Sequence, residues 1–347
     1  VIILGIDTSC DDTGIGIVRG REVLANVVAS QTALHAKFGG VMPEQASREH
    51  LQVIDAVLEE ALQKANIKLS DIYAVAATYG PGLVGALLVG LSYGKALAWS
   101  LGKPFIPVHH LEGHIASSLA AGGPNLETLN PPFLCLIASG GHTSLFEVKQ
   151  WGDYKELGRS RDDAAGEAFD KVARLLGLGF PGGPALSKAA ESGNDDAYKF
   201  TVALKGQTGF DFSFSGLKTA VAVLLQKEPN ATINDVAASF EKTVVESLVS
   251  VTERAAKMTG YQTLVVAGGV AANKKLRQRF TEVGLQTFFP PIALATDNGA
   301  MIALAAQLRS LSYVGVYGSL SEALGWGEVD ATPYLPLDTS LRSNASS

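Results

Sequence analysis

A chain of 347 residues with 47% hydrophobic and 18% charged residues fills a globular core and is long enough for two domains, which excludes a disordered chain. Its formal net charge of −6 excludes a surface that is basic throughout, so a nucleic-acid partner would have to meet a local patch. Two cysteines, Cys10 and Cys135, make no disulfide framework and fit a reducing compartment.

The chain opens at Val1 without a basic-then-apolar leader, so no signal peptide is expected; a removed targeting segment stays open, and with it an organellar rather than a cytoplasmic home. Residues 2–6 and 15–18 are apolar runs that predict two buried strands. Between them stands an acidic, hydroxyl-rich tip, with Asp7, Thr8, Ser9, Cys10, Asp11 and Asp12. Such a tip can hold a phosphate through its NH and OH groups or a cation through its carboxylates, or it can be a plain Asx/Ser turn. Three aspartates in six residues exceed what a turn needs.

Residues 23–30 read as a third strand, and 43–66 as an amphipathic helix with Leu51, Ile54, Val57, Leu58 and Leu62 on its apolar face. Gln45, Arg48, Glu49 and His50 open that helix with polar groups facing solvent or a partner. Residues 72–94 carry no charge, a run long enough to suggest a membrane span. Gly80-Pro81-Gly82 breaks the run, so the expectation is a strand over 72–78, a helix over 83–100, and no membrane.

After a strand at 105–108 comes His110-Leu111-Glu112-Gly113-His114. The spacing of four puts both imidazoles on one helical face, as a shared metal requires; two structural histidines on an amphipathic helix is the plainer alternative. Glu112 lies about 200° round the helix from His110. It therefore cannot stand beside the metal as the glutamate of a metalloprotease H-E-x-x-H does.

Pro131 and Pro132 open a second block, in which residues 133–138 form a strand, 139–143 a Ser-Gly-Gly-His-Thr loop and 144–148 a returning strand. This repeats the strand–polar loop–strand order of residues 2–18. The order strand, Gly-rich turn, helix likewise occurs twice, around Gly80-Pro81-Gly82 and around Gly268-Gly269. Two copies of one unit predict duplicated lobes with a cleft between them. Asp162, Asp163 and Glu167 are expected in the first turns of a helix, with Asp170 too deep in it to be explained by capping. Gly182 and Gly183, in a Pro-rich turn, permit close backbone approach to a ligand. Ser215 is expected to cap a helix from about residue 217, and a long helix to fill 232–259. Residues 268–273 lead into a helix carrying Lys274, Lys275, Arg277 and Arg279, which is either a solvated face or a nucleic-acid contact. Asp297 stands at the start of a last helix that reaches about Arg309; it is an N-terminal cap or a third metal ligand. Residues 312–347, rich in Gly, Ser and Pro, are expected to be partly mobile.

Taken in order, Gly5-Ile6-Asp7-Thr8-Ser9-Cys10-Asp11, Gly80-Pro81-Gly82, 110–114, 139–143, 166–171, Pro181-Gly182-Gly183-Pro184, Phe214-Ser215-Gly216, 268–273 and Thr296-Asp297-Asn298 resemble the TsaD family over about residues 5–311. These are the tRNA N6-adenosine threonylcarbamoyltransferases, here of the bacterial or organellar type and formerly called O-sialoglycoprotein endopeptidases. The resemblance implies an α/β fold of two duplicated lobes, similar to actin, Hsp70 and sugar kinases (the ASKHA class), with a cleft between them. The boundaries expected are 1–130 plus 297–347 for the first lobe and 131–296 for the second.

The resemblance also implies that His110, His114 and Asp297 bind one iron (Fe2+) or zinc ion. It implies that Ile137, Ala138, Ser139, Gly140, Gly141, Asp170, Gly183 and Asn273 hold threonylcarbamoyl-AMP, with ATP or ADP as further nucleotides. The N6 amine of adenosine 37 in tRNAs decoding ANN codons would attack the carbamoyl carbonyl and AMP would leave, with Asp11 or Asp12 taking the proton. The implied partners are tRNA, a TsaB-like paralogue as heterodimer partner and a TsaE-like ATPase. Two departures stand out: Asp7 and Asp12 replace the glutamates usual in the family's first motif, and Ser187 replaces a ribose-contacting aspartate.

Two other enzyme classes compete with this reading. A metallo-endopeptidase is disfavoured by the position of Glu112, and a small-molecule kinase of the same fold has no use for a His/His/Asp set. A scaffold lobe that has lost its metal site would lack the intact His110, His114 and Asp297.

Overall fold

Two five-stranded sheets with the same topology organise the chain. The computed structural model describes residues 1–38, 40–204, 206–317 and 329–339. In chain order the elements are β1 (Ile2–Asp7), β2 (Asp12–Arg19), β3 (Glu22–Ser30), α1 (Thr32–Ala36), α2 (Pro43–Ala65), β4 (Ala74–Gly80), α3 (Val84–Leu101), β5 (Phe105–His109) and α4 (His110–Ser117). Then follow β6 (Phe133–Ala138), β7 (Thr143–Gln150), β8 (Asp153–Arg159), α5 (Ala165–Leu175), α6 (Gly182–Ala190), α7 (Ser215–Lys227), α8 (Ile233–Thr259), β9 (Thr263–Ala267), α9 (Lys274–Thr281), β10 (Gln286–Phe288) and α10 (Gly299–Tyr317).

The first sheet has the order β3-β2-β1-β4-β5 and the second β10-β9-β6-β7-β8. In each, an antiparallel meander of three strands is extended by parallel strands added beside its first member: β1 pairs antiparallel with β2 and parallel with β4, as β6 does with β7 and β9. The repeat read from the sequence is therefore a repeat of sheet topology. β1, β4 and β6 are almost wholly buried along their length, as strands covered on both faces must be, which is why they read as unbroken apolar runs.

The chain divides into two compact units. Unit 1 comprises Val1–Pro131, Gln150–Tyr154 and Thr296–Ser347; unit 2 comprises Pro132–Lys149 and Lys155–Ala295. In unit 1 the apolar core joins Leu4, Ile6, Ile15 and Ile17 of the sheet to Ile54, Val57 and Leu58 of α2 and Leu91 of α3. The uncharged run 72–94 is split between β4 and α3 as its Gly-Pro-Gly predicts; α3 is long and apolar enough by composition to cross a membrane, yet Ala86, Leu87, Leu91 and Ala98 are buried within the protein. In unit 2, Phe169, Phe212, Phe214, Phe240 and Phe280 anchor the core around α8, which is buried along most of its length.

Several local expectations are corrected. Leu51 is 66% exposed, whereas His50, expected on a polar face, is fully buried. The inward stripe of α2 is Ala46, His50, Ile54, Val57, Leu58 and Ala61. A histidine occupies the core side because its polar atoms are satisfied there by Thr13 and the Cys10 carbonyl. Helix α5 starts at Ala165, so Asp162 is not in its first turn. Its carboxylate instead accepts from the Phe214 and Ser215 amides at 2.7 and 3.1 Å and from the Ser213 and Ser215 hydroxyls at 2.5 and 2.9 Å. Asp162 thus caps α7 from a distant segment, and Ser215 is the first residue of that helix rather than its cap. The last helix runs beyond Arg309 to Tyr317.

Of the tail expected to be mobile, 318–328 and 340–347 lie outside the described residues. Part of the rest is fastened to unit 1: the Thr332 amide donates to Tyr79 O at 2.8 Å, the Gly82 amide to Pro333 O at 3.2 Å, and His109 Nε2 lies 3.0 Å from Leu335 O.

Candidate active site

The acidic tip and the histidine helix come together in unit 1. β1 ends at Asp7 and β5 at His109, so both strands deliver their C-terminal residues to one edge of the sheet, where binding residues of parallel sheets collect. His109 caps α4, its Nδ1 accepting the Leu111 amide at 3.2 Å. All eight residues of α4 are buried, so it is a core helix with no solvent face. Its two histidines meet edge to face, with ring centroids 4.8 Å apart.

Asp297 completes the set. Its Oδ1 lies 3.2 Å from His114 Nε2 and 3.6 Å from His110 Nε2. Two ligands bound to a tetrahedral ion at about 2.0–2.2 Å stand about 3.3–3.6 Å apart, so these spacings suit a shared metal. His110 Nδ1 faces the Ser9 hydroxyl at 3.1 Å and Asp7 Oδ1 at 3.5 Å, and Asp7 Oδ1 also accepts from Thr78 Oγ1 at 2.7 Å. That is the carboxylate–imidazole arrangement which orients a metal-binding histidine and leaves Nε2 available. Neither ring nitrogen of His114 has a hydrogen-bond partner, although both are buried; its contact with Asp297 lacks hydrogen-bond geometry. A buried imidazole with no proton partner is costly, and a cation held at Nε2 together with His110 and Asp297 would offset part of that cost. Burial works against a charged His110, but the carboxylates of Asp297 and Asp7 outweigh it and lift its pKa to about 9.

Asp11 and Asp12 flank this set at the start of β2. Burial, reinforced by the charges of Asp11, Asp297 and Asp7 and opposed by the Ser30 hydroxyl, lifts the Asp12 carboxyl to about 7. Its Oδ1 is buried without a hydrogen bond. A carboxyl at that pKa both accepts and returns protons near neutral pH. The tip is braced from below by a buried chain: His50 Nε2 reaches Cys10 O at 3.0 Å, its Nδ1 reaches Thr13 Oγ1 at 2.7 Å, and Gln31 links His50 to His35. Burial lowers the pKa of His50, consistent with a neutral ring.

Unit 2 brings the second predicted set together. The 139–142 loop is closed by the Ser139 amide donating to His142 O at 2.8 Å and the His142 amide to Ser139 Oγ at 3.1 Å. The Gly166 amide donates to Ser139 O at 3.1 Å; a Cβ on Gly166 would stand 2.6 Å from that oxygen, so only glycine allows α5 to start against the loop. Asp170 Oδ1 accepts the Gly182 amide at 2.7 Å and fastens the start of α6 to α5. Asn273 caps α9 through its Oδ1 and donates Nδ2 to Glu241 Oε1 at 2.6 Å and to Ser187 Oγ at 3.0 Å. A Cβ on Gly140, Gly141 or Gly183 would meet nothing within 4 Å, so their backbones border open space. Ile137 and Ala138, expected to touch the nucleotide, are fully buried strand residues paired within the sheet, so they support the loop from beneath and expose no surface to a ligand.

Sequence reasoning missed Glu241, Thr78 and His109. Glu241 sits mid-helix on α8 with no motif around it, and Thr78 and His109 are strand residues whose role depends on which strands are neighbours. The basic stretch of α9 is engaged within unit 2. Lys274 pairs with Glu191, Lys275 with Asp195, and Arg279 with Glu246, while Arg277 donates to the Ala271 and Pro290 carbonyls and lies 4.7 Å over Phe289. Those charges are balanced locally and do not form a bare basic surface.

Residues 22–304 match the family model of TsaD, tRNA N6-adenosine threonylcarbamoyltransferase. The chain is 56% identical over 310 residues to a tRNA N6-adenosine threonylcarbamoyltransferase of Thermus thermophilus, covering 89% of this chain and 92% of that protein. The chain belongs to the TsaD family. Its Kosmotoga olearia relative of the same name is 48% identical over 339 residues, 96% of this chain and 98% of that one. The activity is therefore that of the family, transfer of a threonylcarbamoyl group to N6 of adenosine in tRNA, an acyl transfer; a metallo-endopeptidase and a small-molecule kinase are not favoured. Among solved structures, HypF of T. kodakarensis superposes with a TM-score of 0.59 at 15% identity, covering 90% of this chain and 48% of HypF. Component A of the Acidaminococcus fermentans (R)-2-hydroxyglutaryl-CoA dehydratase gives 0.54 at 17% identity, covering 89% and 98%. These likenesses speak to the ASKHA-type fold alone.

Proposed function

We propose that this TsaD-family chain transfers threonylcarbamoyl from threonylcarbamoyl-AMP to adenosine 37 of tRNAs decoding ANN codons, with His110, His114 and Asp297 holding one iron or zinc ion. The observation that carries the metal reading is the convergence of these three side chains in unit 1 around a buried imidazole without hydrogen bonds. The ion, when bound, supplies positive charge for the phosphate of the leaving group. Asp7 and Ser9 orient His110 through its Nδ1. Asp12, or Asp11 beside it, accepts the proton of the attacking amine.

In unit 2 the 139–141 loop, which continues the strand ending in Ile137 and Ala138, and Gly183 offer NH and carbonyl groups to the nucleotide. Asp170 and Asn273 stand beside them, already oriented by Gly182, Glu241 and Ser187. The carbonyl of the donor is an activated mixed anhydride, so holding the two substrates in place supplies much of the acceleration and no protein nucleophile is needed. ATP or ADP would fit the same polar loop. A TsaB-like paralogue and a TsaE-like ATPase are the proposed partners and the cytoplasm the proposed location, on the family resemblance. The test is transfer of labelled threonylcarbamoyl from its adenylate to unmodified tRNA, with and without those partners. Label on adenosine 37 that is lost in His110→Ala supports the reading. Full transfer by metal-stripped His110→Ala would overturn the role of the ion.

A further inference from the structure

Glu112 lies between the two histidines in sequence and faces away from them. Its Oε2 accepts from Nε and Nη2 of Arg309 at 2.9 and 2.6 Å, and its Oε1 accepts from the Tyr154 hydroxyl at 3.1 Å. Arg309 Nη1 donates to Pro107 O at 2.8 Å. Only 5% of the Glu112 side chain and 18% of the Arg309 side chain are exposed. A fork-shaped guanidinium bound through two nitrogens to one carboxylate fixes direction as well as distance.

The pair joins α4, which carries both histidines, to α10, which begins two residues after Asp297. An eight-residue helix such as α4 has little stability of its own and is placed by its contacts. Gly113 sets its back against α10: a Cβ there would come 2.9 Å from Ile302 Cδ1 and 3.1 Å from Met301 Cγ. Asp297 lies two residues before α10 begins, and its side chain is 29% exposed, so its position follows from where the helix is held. Arg309 is ten residues beyond Gly299, about 15 Å along the axis. Helix α10 is thus attached to α4 at its N-terminal end through Asp297, in its first turn through the Gly113 contact, and further along through Arg309.

We infer that Glu112 and Arg309 are positioning residues for the metal site: their buried ion pair sets the register of α10 against α4 and with it the distance from the Asp297 carboxylate to the two imidazoles. The inference rests on the reading of His110, His114 and Asp297 as metal ligands. Metal sites tolerate ligand errors of about 0.2 Å, so a small slip of α10 suffices to weaken binding. The same pair explains why a glutamate stands in this motif without being placed for peptide hydrolysis.

The test titrates zinc into the metal-stripped full chain in competition with a chelating dye, alongside thermal melting. Removing one partner strands a buried charge, so the deciding variant is E112L/R309M, which removes both at similar volume. A folded E112L/R309M with zinc affinity reduced about 10–100-fold is expected, the range seen when groups behind metal ligands are lost. R309K, which keeps the charge without the fork, should lie between it and the wild type. His110→Ala separates the two ideas. If it abolishes zinc binding while folded E112L/R309M binds like the wild type, the clamp is wrong and the ligand assignment stands. If His110→Ala binds zinc normally, the ligand assignment fails first. Should E112L/R309M not fold, hydrogen exchange of the wild type decides: zinc should slow the α10 amides around Arg309 as well as those beside Asp297, and protection confined to the Asp297 end overturns the inference.

Discussion

Gly16→Ala should disable the metal site through α10, against which Gly16 packs. Gly16 pairs with Gly5 across β1 and β2, and α10 crosses both. A Cβ on Gly16 would stand 2.0 Å from Ala300 N, 2.3 Å from Ala300 Cα and 2.5 Å from Gly299 C. Carbon contacts are comfortable at about 3.5 Å and beyond, so the first turn of α10 would have to retreat by about 1.5 Å. All three obstructing atoms are backbone, and no side-chain rotation relieves them. Overpacking of this kind costs about 1–3 kcal/mol, and a backbone collision belongs at the upper end. Asp297 leads directly into that turn, and the retreat exceeds the ligand tolerance of about 0.2 Å several-fold.

The assay for this variant is zinc titration of the metal-stripped chain, with thermal melting in parallel. Zinc affinity should fall steeply, and the melting temperature should drop at about 2–4 °C per kcal/mol of lost stability. Gly216→Ala is the control, because a Cβ there meets nothing within 4 Å; it should leave zinc affinity unchanged and, lying in α7, should not lower the melting temperature. A Gly16→Ala protein that binds zinc like the wild type would refute the argument that α10 sets the position of the third ligand.

Two further outcomes are expected. Asp162→Ala removes the cap of α7 and should destabilise the protein by about 1–2 kcal/mol in urea unfolding. Burial works against the Asp162 charge, but the bonds from Ser213, Phe214 and Ser215 outweigh it and hold its pKa below the ordinary 3.8; its contribution is therefore present above that value and is lost as the pH falls through the lower, folded-state pKa, so wild type and variant should converge in strong acid. An equal difference at every pH would contradict this. In the metal-free protein Asp12 behaves oppositely. Its pKa rises from 3.8 to about 7, so the folded state binds the proton more tightly and the wild type loses stability as the pH climbs from about 4 to about 7. Asp12→Asn escapes that loss, up to an upper bound of about 4 kcal/mol, and should gain on the wild type through this window and hold a constant margin above it; a margin already flat between about pH 4 and 7 would show Asp12 ionised throughout and refute the shift.

Motifs close in sequence were legible; their neighbours in space were not. The paired His110 and His114, the Gly-rich turns and the strand–loop–strand repeat are local, because helix and strand periods place residues a few positions apart on known faces. Asp297 was legible only as one of two alternatives, since a carboxylate before a helix also caps it. Asp162 was misplaced for the same reason: its sequence neighbours suggested its own helix, while its hydrogen bonds go to α7, some fifty residues on. Leu51 and His50 exchanged places because adjacent positions on a helix differ by about 100°, and a buried histidine needs partners that only the assembled fold supplies. The basic residues of α9 read as either a solvated face or a nucleic-acid contact, because their carboxylate and carbonyl partners lie on other elements and show only in the fold.

The sequence by itself determined that this is a two-domain α/β chain with a repeated strand order, that His110 and His114 share a helical face, and that Glu112 points away from them. These follow from periodicity and from the conformational limits of glycine and proline. The tertiary structure decided that Asp297 returns to that face, that Asp7 and Ser9 stand behind His110, and that Glu112 faces Arg309 across a glycine seam. Such facts depend on which strands become neighbours and on how closely two backbones approach, and contacts between residues nearly two hundred positions apart leave no local periodicity to read.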